Sequence, residues 1–146
     1  MSQYKKLSDK LWVSPQIDKS DIDAAAKAGI KLIIKNRPEG EEMIQPKVED
    51  LQAYAAEHGI KWESIPIAGG QVTMDAVEAM AHALEHAEGP VLAYCRSGTR
   101  SCTLWALANA LKDEMHTDDI LKTAKDAGYD LGHMMQTLEQ VRSLGK

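Results

Sequence analysis

The sequence predicts an α/β fold: a mostly parallel central sheet flanked by helices. Two observations carry this. Short apolar runs of strand length alternate with stretches of 3.6-residue hydrophobic period. The punctuation between them is the Gly, Pro and Asx chemistry of strand-to-helix connections. A third observation, a cysteine loop between a buried strand and a helix, points to where the function sits.

Leu11-Trp12-Val13-Ser14 reads as the first strand. Ser20-Asp21-Ile22-Asp23 supplies an N-cap with an acid three residues on, opening a helix that stops at Gly29. Lys31 to Asn36 is the second strand, and Arg37-Pro38-Glu39-Gly40-Glu41 is the loop after it. Pro46 suits the first turn of a helix with Val48, Leu51, Tyr54 and Ala55 on one face, ending near Gly59. Ile60 to Ile67 is the third strand. Thr73 caps a helix whose Val77, Met80, Ala81 and Leu84 repeat at i, i+3, i+4, i+7 until Gly89-Pro90. Pro90 to Tyr94, an unbroken apolar run, is a buried strand. After the cysteine loop, Leu104, Leu107, Ala108 and Leu111 mark another helix, and two more follow, capped by Thr117 and Asp130. Ligands are expected at the carboxyl ends of the parallel strands.

The chain has 146 residues, 44% hydrophobic and 27% charged, with a net charge of -5. This is the size of one domain, residues 1–146, able to bury a core without staples. There is no basic stripe for nucleic acid. No apolar run approaches the roughly 20 residues of a membrane span, and no secretory leader is evident, so a cytoplasmic protein is expected. Phe is absent, and Trp12, Trp62 and Trp105 are expected to fill the core with aliphatic residues. Two cysteines, Cys95 and Cys102, are too few for a disulfide framework.

Cys95 falls at the carboxyl end of a strand and just before a helix, where free N–H groups and the helix dipole favour negative charge. Such a position beside arginine lowers a thiol pKa from about 8.5 to between about 3.5 and 7.5, so Cys95 is expected to act as a thiolate nucleophile. A buried structural cysteine is the plainer alternative. Gly98 permits the backbone of Arg96, Ser97, Gly98 and Thr99 to turn its amides inward as an anion nest, and Arg100 adds a bidentate fork. The Ser101 hydroxyl is placed to donate to the thiolate, or is an ordinary helix-start serine. The Arg96 side chain is expected to divide between solvent and substrate. Arg37 and Glu39 lie on the sheet edge where the site is expected, and line its mouth or form a salt-bridged turn.

Tyr94-Cys95-Arg96-Ser97-Gly98-Thr99-Arg100-Ser101 resembles the active-site loop of rhodanese-type sulfurtransferases, with four residues between Cys and Arg. Other segments, Trp12-Val13-Ser14-Pro15-Gln16, Asn36-Arg37-Pro38-Glu39-Gly40-Glu41, Ile65-Pro66-Ile67 and Trp105, resemble the bacterial beta-lactamase-hydrolase-like phosphatase domain family over roughly residues 8 to 115. That resemblance implies a protein-tyrosine-phosphatase-like, dual-specificity-phosphatase architecture and, in some bacteria, a functional link to persulfide dioxygenases. Two departures from the phosphatase pattern matter. Phosphatases of this fold place five residues between Cys and Arg, and a general acid is expected just after the third strand, where this chain has Ala68-Gly69-Gly70-Gln71-Val72-Thr73. Protonation of a poor alkoxide leaving group is worth about 10² to 10⁴ in rate, whereas sulfite or a thiolate leaves readily as an anion.

The expected function is therefore sulfur transfer: a small anionic donor, thiosulfate or a glutathione-type persulfide, leaves its sulfane sulfur on Cys95, and an acceptor thiol removes it. The alternative is a phosphatase working through a cysteinyl phosphate; a third reading is a module that binds an anion or senses reactive sulfur. No cofactor or metal is expected. His82 and His86 lie at i, i+4 but lack a third ligand and read as solvated helix surface. Cys102 reads as a packed helix cysteine before a resolving thiol, and Met134-Met135 as helix core.

Overall fold

The computed structural model describes residues 4–38, 40–41, 43–68 and 72–145. Among these the strands are β1 (Lys5–Lys6), β2 (Leu11–Ser14), β3 (Leu32–Lys35), β4 (Lys61–Ser64) and β5 (Val91–Tyr94). The helices are α1 (Lys19–Lys27), α2 (Val48–Glu57), α3 (Met74–His86), α4 (Thr99–Lys112), α5 (Thr117–Asp126) and α6 (Met135–Leu144), with a 3-10 turn at Gly132–Met134 before α6. The sheet runs β1-β2-β5-β3-β4. β2, β5, β3 and β4 are parallel and β1 alone is antiparallel, a two-residue edge that the apolar pattern of the sequence does not reveal.

Strand alternation sends side chains to two cores. Leu11, Val13, Leu32, Ile34, Val91 and Ala93 face the layer built by α3, α4, α5 and α6. Ile33, Leu92 and Tyr94 face the layer of α1 and α2, capped by half-buried Trp12 and Trp62. Of the three tryptophans only Trp105 is buried, because β2 and β4 lie toward the sheet edges. α4 is enclosed on most sides, with Cys102, Leu104, Ala106, Leu107 and Ala108 all buried.

The remaining differences from the sequence reading are local. The α1 cap is Asp18, whose carboxylate accepts from Asp21 N–H while the Asp21 side chain accepts from Asp18 N–H; Ser20 lies inside the helix. α2 starts two residues after Pro46. Thr73 caps α3 as expected. Thr117 is the first residue of α5, not its cap, because its hydroxyl donates to Glu139 on α6. Asp130 is not a cap either: it accepts from Gly132 N–H, but it lies one residue before Leu131, the N-cap of the 3-10 turn. Met134 packs against the core but Met135 is exposed.

The register fixes the site. Tyr94 is level with Ser14 on one side and Lys35 on the other, so the segments leaving β2, β5 and β3 emerge side by side. The central one begins with Cys95.

Candidate active site

Cys95 is fully buried, tied back by its own N–H to Ser14 O at 3.4 Å. The loop turns at Gly98, whose φ of 97° is left-handed. That turn brings Gly98 N–H onto Cys95 Sγ at 3.0 Å. A side chain at position 98 is excluded twice: by the positive φ, and because a Cβ there lies 2.2 Å from the Tyr129 hydroxyl. α4 opens directly afterward at Thr99, so its first-turn amides, which have no intrahelical acceptor, stand at the end of the loop with the positive end of the helix dipole. Arg96, Ser97 and Thr99 are exposed. Arg96 O accepts from Gln16 N–H at 3.3 Å, and Ser97 Oγ donates to Thr99 Oγ1 at 3.1 Å.

Arg100 points back across the mouth. Its Nη1 donates to Ile67 O at 2.7 Å and to Glu41 Oε2 at 2.8 Å, and its Nη2 donates to Glu41 Oε1 at 2.8 Å. Arg37 is almost wholly buried and donates from Nε to the same Glu41 Oε1 at 2.9 Å and from Nη1 to Gln16 Oε1 at 2.9 Å. Arg37 and Arg100 thus share one carboxylate. The hydrogen bonds from Arg100, then those from Arg37, hold the Glu41 carboxyl at about 2 against an ordinary 4.5. The same pairing, followed by the field of Cys95, keeps the Arg100 guanidinium above its ordinary value.

Ser101 and Asn36 form a buried link. Ile65 O can only accept, and Asn36 Nδ2 donates to it at 2.9 Å, which fixes the amide orientation and turns Asn36 Oδ1 to Ser101. Ser101 Oγ therefore donates to Asn36 Oδ1 at 2.7 Å, so its proton is committed there and not to Cys95. This is a different role from the thiolate contact expected from the sequence. Both residues are wholly buried, and they tie the ends of β3 and β4 to the start of α4.

The expected site residues thus come together at one sheet edge: Cys95, Gly98 and Arg100 in contact around the loop, with Arg37 joined to Arg100 through Glu41. Glu39 lies outside the described residues. Cys102 is packed in the core, its thiol pushed up to about 12 by burial and then by Cys95. His82 and His86 stack on an exposed helix face, and no group of three or more potential metal ligands occurs among the described residues. Glu41, Asn36, Gln16 and Tyr129 are the members the sequence reading missed. The i, i+4 spacing of Arg37 and Glu41 was a usable signal; for Tyr129, set beside Gly98 by the turn after α5, there was none.

A buried cysteine at the carboxyl end of the central parallel strand, an amide on its sulfur and an arginine at the start of the next helix define an α/β protein of the cysteine-phosphatase fold. Residues 3–112 match the family of the phosphatase-like domain of beta-lactamase hydrolase-like proteins, and the chain belongs to that family. A beta-lactamase hydrolase-like protein of Xylella fastidiosa is 32% identical over 134 residues, 92% of this chain and 31% of that protein. One from Agrobacterium fabrum is 33% identical over 135 residues, with the same shares. The chain therefore spans about a third (31%) of the length of the curated relatives it matches. A candidate phosphatase from Neisseria meningitidis superposes with a TM-score of 0.85 at 35% identity, covering 97% of this chain and 99% of that one. Pseudomonas aeruginosa TpbA, solved in complex with pTyr, has a TM-score of 0.71 at 15% identity over 98% of this chain and 90% of its own, a likeness of fold alone. No helix among the described residues is long and apolar enough to cross a membrane.

Proposed function

We propose that the chain is a sulfurtransferase on this phosphatase-like fold. The Cys95 thiolate attacks the sulfane sulfur of thiosulfate or an organic persulfide. A Cys95 S–S bond forms, the donor's S–S bond breaks, and sulfite or a thiolate leaves with the electron pair. An acceptor thiolate then attacks the outer sulfur and carries it away, returning the Cys95 thiolate. Neither half requires an oxidant. Gly98 N–H stabilises charge on Cys95 Sγ whenever the sulfur is the leaving group, and Arg100 with the first-turn amides of α4 holds the anionic donor.

The observation that carries this reading is the state of Glu41. Among the described residues it is the carboxylate that touches Arg100, and two guanidiniums keep it ionised far below neutral pH, so it has no proton to give a departing oxygen. The stretch Ala68 to Met74 contains no other acid. Sulfur transfer needs none. The four-residue interval from Cys95 to Arg100 points the same way.

The second reading is a cysteine-dependent phosphatase forming a Cys95 phosphate. On the comparisons alone it is the better supported of the two, because the family is described as phosphatase-like and the solved neighbours are phosphatases or candidate phosphatases. The experiment that separates them is a side-by-side assay with thiosulfate, glutathione persulfide and an aryl phosphate. Sulfur transfer predicts a persulfide on Cys95 with at least one sulfur donor and only slow release of phenolate; efficient phosphate release with no persulfide from either donor establishes the second reading. A role beside a persulfide dioxygenase, which would consume the product of such a transfer, and a cytoplasmic setting belong to the same proposal.

A further inference from the structure

Beside the cysteine loop, between α3, α4 and α6, lies a cavity of about 500 Å³. Met74, Val77, Leu107, Met134 and Val141 make its walls, and Val77, Leu107 and Val141 are buried even before anything enters. Thr99 and Arg100, the residues that complete the loop around Cys95, also line it. Its volume is that of a small-molecule site, and its lining is mainly apolar, with Thr103, His133 and Thr137 as further polar members beside Thr99 and Arg100. An inorganic anion such as thiosulfate does not use such a space. An anion with an apolar substituent uses both kinds of lining: charge at Arg100 and the amides, hydrocarbon against Val77 and Leu107.

We propose that this cavity binds the aryl or short alkyl substituent of an organic sulfane-sulfur donor, and so selects amphipathic thiosulfonates or persulfides over thiosulfate. The inference rests on the sulfur-transfer reading for its chemistry. For a thiosulfonate R–SO₂–S⁻, the Cys95 thiolate takes the terminal sulfur to give Cys95–S–S⁻; the S–S bond breaks and the sulfinate R–SO₂⁻ leaves with the electron pair. Charge and atoms balance. The R group stays in the cavity throughout, so its burial lowers KM and aids capture of the donor.

The test compares benzenethiosulfonate with methanethiosulfonate, measuring Cys95 persulfide formation by mass spectrometry and kcat/KM by sulfinate release. Each enzymatic rate is normalised to that of the same donor with a free small thiol, which removes intrinsic reactivity. Burying a phenyl-sized group is worth about tenfold or more, so the normalised ratio is expected to exceed ten. Thr137 is exposed on α6 at the rim of the cavity, and Thr137→Trp plugs it without cutting into the core. The ratio falls toward one in that variant. Persulfide from both donors with a wild-type ratio near one overturns the inference and leaves the sulfur-transfer reading standing; so does a high ratio that Thr137→Trp leaves intact. No persulfide from either thiosulfonate overturns the inference, and the sulfur-transfer reading falls with it only if thiosulfate and glutathione persulfide also leave Cys95 unmodified.

Discussion

The Asn36–Ser101 link gives a prediction with a computable size. Asn36→Ala removes the acceptor of Ser101 Oγ–H and the donor to Ile65 O, both in a wholly buried setting, while the backbone bonds of Asn36 to Tyr94 O and from Ile67 N–H remain. A buried polar group left unpartnered costs about 1–3 kcal/mol, so two of them cost about 2–6 kcal/mol, a large share of an ordinary domain's stability of about 5–15 kcal/mol. Ser101→Ala strands only Asn36 Oδ1 and costs about 1–3 kcal/mol. In the double variant the two groups that faced each other are both gone. The cost then falls short of the sum of the singles by those two strandings, about 2–6 kcal/mol. Urea unfolding at pH 7, read by far-UV circular dichroism for all four proteins, measures this directly. Because the Ser101 proton is given to Asn36, Ser101→Ala should also keep turnover within about fivefold of wild type, a loss worth less than about 1 kcal/mol. Costs that add to within about 0.3 kcal/mol, or a Ser101→Ala enzyme that is stable but inactive, refute the assignment and return Ser101 to the thiolate.

Further outcomes follow from the loop and its arginines. Cys95→Ser abolishes turnover of whichever substrate proves correct, while Cys102→Ser retains most of it, because only Cys95 receives the Gly98 amide; equal losses in both would contradict this. Arg100→Lys lowers kcat/KM by about tenfold or more, since a point charge cannot reproduce the planar fork that grips Glu41 and, in the proposed function, holds the donor anion. Gly98→Ala destabilises the protein by about 1–2 kcal/mol through its left-handed backbone. Adding Tyr129→Phe removes the overlap with the hydroxyl and recovers only part of the lost stability, read by urea unfolding. Glu41 has a folded-state pKa below its unfolded one, so the stability it contributes is present above about 4.5 and is lost as pH falls toward about 2. Its side chain is one-quarter exposed, so the worth of the cluster at pH 7 is no more than about 1 kcal/mol. Wild type and Glu41→Gln should converge in urea midpoint across that acid window; a gap that is constant with pH shows that the ion pairs are not its source.

Much of this was legible in the sequence because local signals and tertiary structure agree. The apolar runs at Leu32–Lys35 and Val91–Tyr94 are buried on both faces, which only central parallel strands are, and Thr73 and Gly98 perform the cap and turn that their chemistry suggests. Cys95, Gly98 and Arg100 were readable together because they are neighbours in one loop. What was not legible depends on contacts across the sheet edge. Glu41 lies 59 residues from Arg100 and Asn36 lies 65 from Ser101, and no periodicity encodes such pairings. The Asp18 cap was missed because Ser20 and Asp21 offered an equally good pattern two residues later; Ser20 Oγ in fact donates to the Asp18 carboxylate. β1 is too short to carry a pattern.

The measurement that bears most directly on the sulfur-transfer account is the mass of the Cys95-containing peptide after incubation with thiosulfate or glutathione persulfide, taken beside phosphate release from an aryl phosphate by the same preparation. The account predicts one added sulfur on Cys95, removable by cyanide or a thiol, absent in Cys95→Ser, and formed far faster than phosphate is released. Rapid phosphate release with an unmodified Cys95 peptide under both donors would contradict it and assign the loop to phosphoryl transfer.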